Sequence, residues 1–185
     1  MQAQYALLNR VSAARLIEPA PSAEQRALMF QAAMRAPDHA QLRPWRFLCV
    51  EGDARIEMGE LFASALLNQD PATESAKLEK ARHMPLRAPL IVVAIASFKP
   101  HPKVPYSEQR LTVGCAVHSM TLAAFSEGLG AIWRTGELAH DEFVAKGLGL
   151  TGDEEILGFL YLGTPAAALR QAPVLDPAPF IQNWP

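Results

Sequence analysis

The chain has 185 residues, half of them apolar and 19% charged, enough for about one domain with a sizeable core. This composition excludes a disordered protein, a collagen-like fibre and a disulfide-stapled miniprotein. With 17 Lys and Arg against 19 Asp and Glu, the net charge of −2 gives no global attraction to nucleic acid or an anionic membrane, so any anion must be held by a local basic cluster.

Residues 2–10 carry Tyr5, Leu7 and Leu8 and predict a short amphipathic helix. A first loop follows, with Arg10, Ser12 and Arg15 close together. The first residues lack the basic and apolar regions of a signal peptide, and no apolar run reaches the length of a membrane span, so a cytoplasmic protein is expected. Ser22 and Gln25 fit a capping box that opens a helix over 23–35. That helix stops before Ala36-Pro37, because proline disfavours helical backbone in the residue ahead of it. The loop 36–46 has two prolines and carries His39, Gln41, Arg43 and Trp45.

Residues 46–50 read as a strand, and 53–67 as a helix with Ile56, Met58, Leu61, Phe62, Leu66 and Leu67 at helical spacing. The polar stretch 68–83 reads as a loop and part of a helix. The run 89–96 is continuously apolar and β-branched, the pattern of a strand buried on both faces. After a proline-containing loop, residues 109–127 predict a helix that is small or apolar on most sides and therefore central and buried. Gly128 supplies its left-handed cap. A short strand and turn at 131–136, a helix at 139–147 and a third apolar strand at 156–162 complete the pattern. The tail, with prolines at 173, 177, 179 and 185, reads as an extended arm. The organisation is one α+β domain over 1–185, with termini placed to embrace a partner. Cys49 and Cys115 lie in apolar runs without CxxC spacing and read as reduced core thiols.

The chemistry follows largely by exclusion. There is no Gly-x-Ser-x-Gly elbow, no HExxH or other ligand-like histidine pairing, no Walker loop and no completed GxGxxG. No metal is expected, and no side-chain nucleophile. What remains is a set of guanidiniums, hydroxyls, amides and imidazoles in loops beside Trp45 and Trp133. Arginine binds phosphate bidentately, hydroxyls complete its oxygens, and apolar walls sandwich a ring. That set suits a phosphorylated aromatic cofactor.

The order Arg10-x-Ser12, then Ala36-Pro37 to Pro44-Trp45, then Gly128-Leu-Gly130 to Trp133-x-x-Gly136, resembles the FMN-dependent nitroreductase family over nearly the whole chain. The strings Arg35-Ala-Pro-Asp-His39, Lys103-Val-Pro105 and Gly158-Phe-Leu-Tyr-Leu-Gly-Thr-Pro165 bring it nearest the small bacterial NAD(P)H nitroreductases of about this length. The resemblance implies a three-layer α+β fold, a mainly antiparallel sheet flanked by helices, in an intertwined homodimer with FMN at the subunit interface. It implies ping-pong transfer from NADH or NADPH to an electron-poor acceptor: a nitroaromatic, quinone or enone. The alternatives are a flavin-binding or scavenging module with little turnover, or a related flavin-dependent dehydrogenase or dehalogenase. By resemblance, Arg10, Val11 (through its backbone), Ser12, Arg35, His39, Trp133, Arg134 and Thr135 bind FMN, with Arg35 and His39 reaching it from the partner subunit. Ala123, Ala124, Phe125, Ser126, Glu127 and Gly128 match a stretch that serves the nicotinamide nucleotide. The chain departs from the wider family in four places, one being Gln41 and Arg43 where an Asn and a Gln usually precede Pro-Trp. Arg15 is displaced by one residue, His118-Ser119 replaces a Gln-Asn pair in the central helix, and no basic doublet follows Pro165.

Overall fold

The computed structural model describes residues 1–184; Pro185, the last of the tail prolines, lies outside them. The elements run α1 (Ala3–Asn9), β1 (Leu16–Ile17), α2 (Ala23–Ala33), β2 (Trp45–Glu51), α3 (Ala54–Gln69), α4 (Ser75–His83), β3 (Leu90–Ser97), α5 (Tyr106–Ser126), β4 (Gly130–Arg134), α6 (Glu142–Gly147) and β5 (Glu154–Pro165). All strand pairs are antiparallel. Strand β3 lies between β2 and β5, while β4 and then β1 share the far edge of β5.

The apolar run that predicted a two-sided strand is β3, whose residues 90–96 are at most 1% exposed. Alternate side chains feed two cores. Ile91, Val93 and Ile95 join Phe62 of α3 and Phe159 and Tyr161 of β5. Leu90, Val92 and Ala94 join Met29 of α2 and Val117 and Met120 of α5. Fully burying such a side chain contributes about 1.5–3 kcal/mol, so the central strand holds both helical layers to the sheet. The result is the expected three-layer α+β architecture.

Local signals explain most boundaries. Gln25 N–H donates to Ser22 Oγ at 3.3 Å and Ser22 N–H donates to Gln25 Oε1 at 2.9 Å, so the capping box closes in both directions. Gly128 has the left-handed φ of +75° that ends α5. Several expectations need correction. Helix α5 starts at Tyr106 rather than 109, because the Pro105 carbonyl already accepts from the N–H groups of Glu108 and Gln109. The expected 139–147 helix splits into a 3-10 turn at Glu137–Ala139 and α6, whose start is capped by Asp141 accepting from Val144 N–H at 2.8 Å. Strand β5 is longer than 156–162, since Glu154 and Glu155 continue it while their carboxylates are neutralised by Arg46 and Arg110. Both cysteines are exposed rather than core. Apolar neighbours in sequence misplaced them, for each lies on the outward side of its element.

Arg46 of β2 grips Glu154 of β5 at two points, 2.9 and 2.7 Å. That bond holds the Glu154 carboxyl below its ordinary value of 4.5. A carboxylate depressed by folding contributes stability above its ordinary pKa and loses it as pH falls through the folded value. Water on the arginine side screens the pair, so Glu154→Gln is expected to cost about 1 kcal/mol near pH 7 and less near pH 3. Urea midpoints at both pH values check this; an equal loss at each would remove the pair as the cause.

Candidate functional site

The residues singled out by sequence fall into three groups. The first hangs on α1. Arg10 has left the helix, although its N–H still donates to Ala6 O at 3.1 Å. Ala13 N–H then donates to Ala131 O at 3.0 Å, which fastens the 10–13 segment beside β4. Arg10 is half-buried, Ser12 is exposed, and the Val11 side chain is buried, so Val11 offers only backbone to a ligand. Arg15 is exposed, and its carbonyl accepts from Ala166 N–H at 3.1 Å.

The second group is the loop after α2. Arg35 and His39 are both exposed. Ala40, Gln41 and Arg43 have φ of 62°, 52° and 50°, a left-handed conformation that costs a residue with a Cβ of order 1 kcal/mol or more. The loop is over-determined enough to hold it. The Asp38 carboxylate accepts from Arg43 N–H at 2.7 Å, Asp38 O accepts from Gln41 N–H, and Thr112 of α5 donates its hydroxyl to Pro37 O at 3.0 Å. His39 Nδ1 lies 2.8 Å from Glu108 Oε2, also on α5. Strain of this kind concentrates where a chain presents side chains to a ligand.

The third group is the end of β4. Strand pleating sends Trp133 and Arg134 to opposite faces of the sheet. Trp133 packs toward α5 and donates Nε1–H to Leu157 O at 3.2 Å. Arg134 turns to the α3 side, where its guanidinium carbon sits 5.8 Å over the Tyr161 ring. There it lines a cavity of about 420 Å³ with Arg87, Tyr161, Met84, Thr135 and Gly136. Its Nε is buried and has no hydrogen-bond partner among the described residues. Burial pushes the Tyr161 hydroxyl above its ordinary pKa, while the charges of Arg134 and Arg87 pull it the other way.

The stretch 123–128 ends α5. Ala123 and Ala124 are buried against the core, Phe125 stacks on Tyr5 with ring centroids 6.2 Å apart, and Ser126 donates its hydroxyl to Ala123 O. Only Glu127 and Gly128 are openly exposed.

Helix α5 ties these groups together. Its outer face was expected to be buried; instead Leu111 is 70% exposed, with Cys115 and His118 exposed one and two turns on. His118 was expected to be hydrogen-bonded on a buried helix, yet its side chain has no partner among the described residues. Beside this face is a mostly apolar cavity of about 580 Å³, lined by Pro37, Leu111, Cys115, His118 and Trp133. The first group attaches through Tyr5 at Phe125, and the second through His39 at Glu108. At 1.5 Å per residue those anchors are about 25 Å apart along the helix.

A family model described as the nitroreductase family matches residues 16–164. The chain belongs to the nitroreductase family. As a member it is an oxidoreductase. It is 43% identical over 185 residues, 98% of either chain, to the "Putative NAD(P)H nitroreductase YdjA" of Escherichia coli (strain K12). A protein of like description from Haemophilus influenzae is 33% identical over 183 residues, again 98% of each chain. Among solved structures, a nitroreductase-like family protein from Bacillus cereus superposes with a TM-score of 0.84 at 19% identity, covering 100% of this chain and 96% of that one. An FMN-bound nitroreductase from Bacteroides fragilis gives 0.73 at 20% identity, with full coverage of both. These likenesses show the nitroreductase fold.

The candidate site of this nitroreductase also includes residues that sequence reasoning missed. Arg87 precedes β3 in an unremarkable Pro-Leu-Arg-Ala string, and only the fold brings it to the cavity of Arg134. Glu108 reads in sequence as an ordinary first-turn carboxylate; its pairing with His39 is a tertiary contact. The donor set fits a flavin nucleotide. Arg10, Arg35, Arg87 and Arg134, like Arg15, Arg43, Arg55 and Arg170, have no carboxylate partner among the described residues, whereas Arg26, Arg46, Arg82 and Arg110 are all ion-paired. Arg134 adds an orphaned buried N–H.

Proposed function

We propose that this nitroreductase is an FMN-dependent NAD(P)H oxidoreductase that works as a homodimer in the cytoplasm. One observation carries the reading: the candidate cofactor groups attach to opposite ends of α5, and the helix between them leaves Leu111, Cys115 and His118 exposed beside a mostly apolar cavity. A second copy docked on that face by a two-fold axis brings its Arg35 and His39 to this chain's Arg10 and Ser12. The exposed Leu7 and Leu8 of α1, and Val174, Leu175, Phe180 and Trp184 of the tail, add apolar surface for the same embrace.

In this reading Arg10 and Ser12 bind phosphate and ring edge, Val11 contributes backbone, and the strand end Trp133-Arg134-Thr135 borders the ring. The 123–128 turn receives the nicotinamide nucleotide through Glu127, Gly128 and main chain. When bound, FMN would supply the redox chemistry that links NADH or NADPH to a nitroaromatic, quinone or enone in two separate half-reactions. The protein's part is to orient, shield from water and place positive charge near the ring. Arg10 and Arg15 are the candidates from sequence for that charge, and Arg87 and Arg134 the ones from structure.

An absorbance spectrum of the purified protein, before and after anaerobic NADH or NADPH, tests the reading. A flavin band that bleaches with nucleotide and returns with a nitroaromatic or quinone is expected. Arg10→Ala is expected to slow that bleaching at least tenfold in rapid mixing while FMN remains bound at saturating concentration. Flavin that binds but never bleaches would favour a scavenging module. The tail, whose single basic residue is Arg170, would suit that alternative. A chain that takes up no FMN overturns both.

A further inference from the structure

We infer that Glu108 is a positioning residue for His39, setting which ring nitrogen faces the cofactor; this rests on the flavin reading above. The carboxylate of Glu108 lies 2.8 Å from His39 Nδ1. An ionised carboxylate only accepts hydrogen bonds, so it selects the ring with hydrogen on Nδ1. Nε2 is then the nitrogen left for a ligand. It accepts from a ligand N–H when the ring is neutral and donates to a ligand oxygen when the ring is protonated.

The loop does not need Glu108 to keep its shape. Asp38 already holds Arg43 and Gln41 through backbone N–H groups, and Thr112 already holds the Pro37 carbonyl to α5. The pair is also a poor source of stability, since the two side chains are 56% and 47% exposed and exposed pairs contribute little. What Glu108 alone supplies is the orientation and tautomer of the imidazole. Its place on α5 fits that task. Thr112 lies one helical turn further on the same helix, so the backbone ahead of His39 and the ring itself are fixed to one rigid element. That is the arrangement by which a remote carboxylate commonly fixes a ligand-binding histidine.

The test compares wild type, Glu108→Ala, Glu108→Gln and His39→Ala. Long-range ¹⁵N–¹H spectra of the flavin-free protein report the tautomer of the neutral His39 ring, and fluorescence titration reports FMN affinity. Wild type is expected to show hydrogen on Nδ1. Glu108→Ala is expected to lose that signature and to weaken FMN binding about tenfold. Glu108→Gln keeps a carbonyl acceptor, so it is expected to retain the signature and to bind within about threefold of wild type. In a His39→Ala background, Glu108→Ala is expected to add nothing. A wild-type ring with hydrogen on Nε2 overturns the inference, as does a Glu108→Ala variant with unchanged signature and affinity, or an equal loss in the His39→Ala background. Failure of wild type to bind FMN overturns the flavin reading instead, and the tautomer comparison still decides whether Glu108 sets the ring.

Discussion

Leu111→Glu is expected to give a folded monomer that no longer retains FMN. Leu111 projects from α5 at 70% exposure beside Cys115 and His118, so the substitution removes nothing from either core. In the proposed two-fold dimer each substitution acts twice. Burying a leucine contributes about 1.5–3 kcal/mol, and forcing an unpaired carboxylate into the same place costs several more. The combined loss raises the dimer dissociation constant by at least roughly a thousandfold, since 1.4 kcal/mol is a factor of ten. In the proposed split site, flavin loss then follows from geometry. Arg35 and His39 are anchored at the Glu108 end of α5, and Arg10 and Ser12 at the Phe125 end, too far apart within one chain to close on one ring. Light scattering with FMN titration checks both parts. A variant that stays dimeric with wild-type affinity would take α5 out of the interface, and a monomeric wild type that binds FMN tightly would refute the split site.

The legible part of this protein was its periodicity. The apolar run 89–96, the capping box at Ser22 and the glycine stop at Gly128 each describe a local balance of forces, and each appears in the structure where expected. Features that depend on what lies opposite were not legible. Glu154 and Glu155 look like loop residues until Arg46 and Arg110 are seen across from them. Strand β1 is two residues long and exists only because Leu16 and Ile17 meet Pro165 and Thr164. The outer face of α5 reads as core because its residues are apolar, and a single chain leaves them uncovered. For the site, the ordered motifs located the loops but not their directions. Trp133 and Arg134 are neighbours in sequence and point to opposite sides of the sheet by pleating alone, but which of them meets α5 and which the α3 side depends on the strand register rather than on residue type.

Strand β4 passes close over Gly158 of β5, and Gly158→Ala is expected to be the most damaging small substitution near the site. Along β5 the pairing with β3 shifts between Ala94 and Ile95, so that Ala94 faces Gly158 while Ile95 faces Ile156. Leu157 is the extra residue of the bulge, and its carbonyl accepts the Trp133 indole N–H at 3.2 Å. Gly158 has φ of +141°, and a Cβ there would lie 2.3 Å from Trp133 Nε1 and 2.7 Å from Arg134 O. The indole is a side chain and can turn aside, but the Arg134 carbonyl is backbone in the sheet, so strand β4 itself must shift. Over-packing costs about 1–3 kcal/mol and the forbidden φ about another, so the loss is roughly 2–4 kcal/mol and the melting temperature falls by about 10 °C. Gly52→Ala separates the two contributions. Gly52 also has positive φ, +57°, but a Cβ there meets nothing within 4 Å, so only the backbone penalty of about 1 kcal/mol applies. Calorimetry of the two variants, with Trp133 fluorescence as the local reporter, checks the comparison. The indole environment is expected to change in Gly158→Ala alone, because only there does the added methyl compete for the place where the bulge positions Trp133 and, beyond it, the Arg134-Thr135 edge of the cavity. Equal losses in both variants would mean that the left-handed backbone, and not the approach of β4, is what glycine serves at 158.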